Sequence, residues 1–153
     1  MSTKAGFQQP SKNTKLPDCD HLLRFIEKNR RMLDPNTNKI IGILPQAFEL
    51  KPKELAAGYI SSGWVEFFGS DMATNLCLTK KDILSVRNAS KHPEVFALGN
   101  VGKVKNTVSK YHQRARIIYT PGGVKCHVSV LIHNNDNPKM LEELATLTWC
   151  NLV

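Results

Sequence analysis

Hydrophobic positions along this chain change their period several times, and each change predicts an element. Leu22, Leu23, Phe25, Ile26 and Leu33 recur at helical intervals behind Pro17 and Asp18, so the spacing predicts a helix capped by Asp18 or Asp20. Residues 34–38, rich in Asp, Pro and Asn, form a turn. The β-branched run 39–44 predicts a strand ended by Pro45, and 51–58 a loop. Residues 59–62 predict a short strand and the aromatic stretch 64–68 a half-turn or short helix. Thr79 and Asp82 have capping-box spacing ahead of Ile83, Leu84 and Val86, which places a helix over 80–89. A strand is expected over 94–98. Val101, Val104, Val108 and Tyr111 then share one face of a helix over 101–113. Segments 115–120 and 124–133 are β runs joined through Pro121, Gly122 and Gly123, the pattern of a hairpin. Asn137 caps a last helix with Pro138 at its first position, and Met140, Leu141, Leu144, Leu147 and Trp149 supply its apolar side.

Strands and helices mix here without a βαβ rhythm. The expected fold is α+β: a single two-layer domain over 18–153, with a mixed, mostly antiparallel sheet and four or five helices. Residues 1–17 lack periodicity and carry three lysines and no acid, which predicts a flexible basic arm. A length of 153 residues suits one domain, and a hydrophobic fraction of 41% argues against wholesale disorder. No apolar run approaches the ~20 residues that span a bilayer, so no membrane partner is expected. The first charged residue is not followed by an apolar leader segment, which points to a cytoplasmic protein. The four cysteines form no C-x-x-C pair and read as small buried hydrophobes; neither a metal nor a cofactor is expected. The oligomeric state stays open.

Charge alters the picture. The formal net charge is +8, and it is unevenly placed. Residues 80–116 hold nine cations against two acids, and with the basic arm they carry more than the whole net charge. On the 101–113 helix, Lys103, Thr107, Lys110 and Arg114 are spaced by four, three and four, which aligns them in one stripe away from the valine face. With Lys105 and Arg116 this makes a basic face suited to a phosphate backbone, or otherwise to a solvated helix surface.

Two further features bear on chemistry. Gly99, Asn100, Gly102 and Lys103 stand between a strand and a helix, where glycine lets a backbone approach an anion and helix N–H groups attract it. The spacing is neither a Walker A loop nor G-x-G-x-x-G. On the last long strand, His127, Ser129, Leu131 and His133 alternate with an apolar set, placing His127 and Ser129 on one face as acid–base candidates. His127-Val-Ser-Val130 has the H-x-[ST]-x shape of two-histidine phosphoesterases, but no second copy exists.

Four segments resemble a diffuse group of small bacterial proteins: Gln46-Ala-Phe48, Ser61-Ser-Gly-Trp-Val-Glu-Phe-Phe68, Ala97-Leu-Gly-Asn-Val-Gly102 and His127-Val-Ser-Val130. The resemblance spans about residues 40–133, implies a bacterial cytoplasmic setting and suggests that Phe48, Ser61, Trp64 and His127 gather around one pocket. It carries no activity with it.

From sequence, the first expectation is therefore a basic binding module whose partner is nucleic acid or an acidic protein surface. The alternative is a small metal-independent enzyme on a phosphorylated or nucleotide substrate, with His127 as its acid–base residue.

Overall fold

A computed structural model describes residues 9–50, 54, 58–87, 94–133 and 135–153. Six strands form one antiparallel sheet: β1 (His21–Phe25), β4 (Ile60–Trp64), β5 (Phe96–Asn100), β6 (Ala115–Tyr119), β7 (His127–Ile132) and β8 (Asn151–Leu152), in the order β6-β7-β4-β1-β5-β8. A separate hairpin pairs β2 (Arg31–Leu33) with β3 (Ile40–Ile43). Among the described residues three α-helices accompany them: α1 (Met72–Leu84), α2 (Val101–Ser109) and α3 (Pro138–Glu143), the last running on through a π turn over Leu144–Thr148. None is long and apolar enough to cross a membrane.

Register shows how the helices sit. Gly63 of β4 pairs with Leu23 of β1, and a Cβ on Gly63 would strike Thr79 and Ile83 of α1. Leu22, the next residue of β1, pairs with Gly99 of β5, where a Cβ would strike Trp149 behind α3. Successive strand residues face opposite ways, so α1 covers one face of the sheet and Trp149 the other. The larger core lies on the Trp149 side, where Val101, Val104 and Val108 of α2 and Met140, Leu141 and Leu144 join Leu22, Val128 and Val130. Helices on both faces replace the two layers expected, and among the described residues three α-helices are defined rather than four or five.

The main correction is β1. Leu22 and Leu23 are both fully buried although they point to opposite faces, so this central strand reads as a continuous apolar run that mimics helical spacing. Asp18 and Asp20 cap no helix of their own; their carbonyls accept the N–H groups of Gly102 and Val101 at the start of α2. The second correction is α1, which begins at Met72 with Asp71 as its cap, Oδ1 accepting from Thr74 N at 3.0 Å. Thr79 lies in its interior, its hydroxyl donating to Asn75 O. Residues 88 and 89 of the expected 80–89 helix, and most of the expected 51–58 loop, lie outside the described residues.

The antiparallel sheet, the β6–β7 hairpin, α2 and the Asn137 cap with Pro138 in the first turn follow the pattern in the sequence. The aromatic 64–68 stretch is a strand end followed by a 3-10 turn, with Trp64 buried against Tyr119. Residues 1–8 lie outside the described residues. Further on, Asn13 N donates to Tyr119 O, Leu16 N donates to Ile117 O, and Leu16 is buried beside the outer edge of β6.

Candidate functional site

β1 pairs with β5 along five residues but with β4 only at Leu22 and Leu23. Beyond Leu23 the two strands part, and the backbone of Ser61 on β4 needs other partners. A buried ion pair supplies them. Arg24 Nη1 donates to Ser61 O at 2.7 Å, and Ser61 N donates to Glu54 Oε2 at 2.7 Å. Arg24 meets Glu54 through Nη1 (2.9 Å) and Nη2 (3.1 Å), a bidentate fork, and its Nε donates to Ala47 O. Side-chain exposures of 2% and 7% put this pair out of bulk water.

The splayed strands and α1 enclose a cavity of about 560 Å³. Leu23, Phe25, Ile83 and Val124 make its walls apolar, while Ser61 and His127 present polar groups. Arg87 stands at one side, 4.0 Å above the Phe25 ring and paired with Glu27 at 2.7 Å. Among the described residues each arginine of the lining is thus matched by a glutamate, and the charges they bring to the cavity balance.

His127 lies opposite Gly63 and diagonal to Ser61, within side-chain reach across the β4–β7 pair. Its Nε2 is 3.0 Å from Ser61 Oγ, and its Nδ1 is 2.9 Å from the Thr120 carbonyl oxygen. The Thr120 carbonyl can only accept, which favours the tautomer with hydrogen on Nδ1 and a lone pair on Nε2 facing the Ser61 hydroxyl. Burial pushes the imidazole below its ordinary pKa, which favours this neutral form. Thr120 Oγ1 lies 3.0 Å from Nδ1 and 2.6 Å from Ser129 Oγ, and the Tyr59 ring packs edge-on against the imidazole. The turn before His127 is pinned from α1, where the Asp82 carboxylate accepts Lys125 N and Cys126 N. A hydroxyl held against a neutral imidazole, itself oriented by a third group, can pass a proton and attack an electrophile.

The residues singled out in the sequence do not converge. His127 lines the cavity; Ser129 is buried beside it and touches Thr120 rather than open space. Gly99 belongs to a strand three places from β7, roughly 14 Å at ordinary strand spacing. At the start of α2, Val101 N, Gly102 N and Lys103 N donate to Asp20 O, Asp18 O and Asn100 Oδ1, so the donors expected to hold an anion are spent on the protein's own oxygens. In the proposed stripe, Thr107 is buried and bonded to Thr148, Lys110 pairs with Glu143 at 2.6 Å, and α2 ends before Arg114. Lys105 pairs with Asp18 at 2.8 Å. Arg114 and Arg116 flank the first residue of β6 and are exposed. Of the four residues the resemblance grouped, Ser61 and His127 meet, while Phe48 packs on Trp149 and Trp64 on Tyr119.

Ser61 carries no local signature as a reacting group, and Arg24 and Glu54 are linked only through the fold; the Ser61 segment stood out through the resemblance alone. The Cys126 thiol is pushed up by burial and by Asp82, which keeps it protonated. Among the described residues, no cluster of His, Cys, Asp and Glu is arranged to hold a metal ion. No family model, curated protein or solved structure matches this chain.

Proposed function

We propose that the chain is a small hydrolase for neutral esters with an apolar body, with Ser61 as nucleophile and His127 as general base. The observation that carries this reading is the 3.0 Å contact between Ser61 Oγ and His127 Nε2 at the wall of the 560 Å³ cavity. Ser61 Oγ adds to the ester carbonyl carbon as its proton moves to His127 Nε2. The adduct collapses, the C–O bond breaks, and the imidazolium returns the proton to the departing alkoxide. Water, deprotonated by His127, then releases the acid and restores Ser61. Apolar walls and paired arginines favour an uncharged substrate over the phosphorylated one suggested by the sequence.

A fluorophosphonate probe followed by intact mass tests the reading. One adduct per chain is expected, absent in Ser61→Ala and slowed about 100-fold or more in His127→Ala. Equal labelling of Ser61→Ala and the parent chain refutes it. A second reading, engagement of a polyanion, is favoured by cations gathered along β6.

A further inference from the structure

We propose that the outer side of β6 is a groove for the phosphodiester backbone of a nucleic acid, independent of the Ser61 cavity. Two depressions meet there. A narrow cleft of about 70 Å³ is lined by Lys15, Lys105, Arg114 and Arg116, and a hollow of about 420 Å³ by Arg114, Arg116 and His133. Both arginines border both depressions, so the two form one furrow across the edge strand. Among the described residues no acid lines either part, and Asp18, paired with Lys105, offsets one cation from outside the lining. Among the described residues no carboxylate pairs with Lys15, Arg114 or Arg116.

The furrow does not coincide with the helical stripe that the sequence suggested. Lys15 reaches it because its segment bridges to Ile118 of β6, far away in sequence. Residues 114 and 116 alternate along an extended chain, so their guanidinium groups start about 7 Å apart on one side. Arginine forks bind phosphate oxygens in a planar, charge-assisted geometry. An interface with an acidic protein centres on buried aromatic or apolar anchors. Among the described residues the floor of this lining is aliphatic (Leu16, Ile117, Leu131), its rim carries four cations and no Phe, Tyr or Trp ring is present as an anchor for a protein, which suits a repeating phosphate chain and predicts little base selectivity.

Anisotropy of a labelled 20-nucleotide DNA, single-stranded and duplex, titrated with the full chain tests the proposal. Four phosphate contacts give a log–log salt slope of about −3 to −4, a loss of roughly 50- to 150-fold between 50 and 200 mM salt. Lys15→Gln, Arg114→Gln and Arg116→Gln should each flatten that slope by nearly one, whereas Arg116→Lys and Lys81→Gln, a change on α1, should leave it. These side chains are exposed, and an unchanged thermal midpoint verifies the fold of each variant. Absence of binding at 50 mM salt, equal slopes for the groove variants and Lys81→Gln, or tighter binding of polyglutamate than of DNA at 100 mM salt each overturns it.

Discussion

Replacing Glu54 with alanine is the sharpest probe of how the cavity is built. Among the described residues the carboxylate accepts hydrogen bonds from Arg24 Nη1 at 2.9 Å, Arg24 Nη2 at 3.1 Å and Ser61 N at 2.7 Å. Its loss strands a guanidinium that is 2% exposed and leaves a strand N–H without its acceptor. Breaking a buried pair from one side costs about 3–5 kcal/mol, because the remaining charge keeps its desolvation penalty. With a urea m-value of about 2 kcal/mol/M, the midpoint should fall by roughly 1.5–2.5 M. The double variant Arg24→Met with Glu54→Ala removes both charges. It should be less destabilised than the sum of the single variants by about 2 kcal/mol or more, the signature of direct coupling. Probe labelling of Ser61 should fall in folded Glu54→Ala, since both backbone anchors of Ser61 belong to this pair. A cost below about 1 kcal/mol, with single and double variants additive within ~0.5 kcal/mol, would refute the claim that the pair replaces the missing β1–β4 ladder.

Two further outcomes follow from the packing and from His127. Burial lowers the His127 pKa in the folded chain, so between that value and the unfolded value near 6.5 the unfolded chain binds more protons. Stability should therefore rise with pH through this window, and urea midpoints of His127→Gln across pH 4.5–7.5 should lack that component; an unchanged pH profile would contradict it. Gly99→Ala places a Cβ 2.7 Å and 2.8 Å from Trp149 ring atoms and 3.2 Å from its Cα. Calorimetry should show a loss of about 1–3 kcal/mol from overpacking, and an unchanged midpoint would mean that Trp149 yields freely.

Much of the scaffold was legible because its pattern is local. The β6–β7 hairpin alternates around Gly122 and Gly123, α2 repeats its valines, and Asn137 stands directly before Pro138. β1 was not legible, because a strand buried on both faces loses its alternation. The site was half legible. His127 showed through its place on an alternating strand, but its partner Ser61 is 66 residues away, and Glu54 sits 30 residues from Arg24. The basic stripe failed for a related reason. Spacing along a helix cannot show that Thr107 turns inward or that Glu143, from another helix, neutralises Lys110.

The proton on His127 is the most direct test of the proposed chemistry. Long-range nitrogen–proton NMR of the imidazole at pH 7 should find hydrogen on Nδ1, a bare Nε2 and a titration midpoint below the ordinary histidine value. Hydrogen on Nε2, or a cationic ring at pH 7, would leave Ser61 facing a donor instead of a base and would contradict the account.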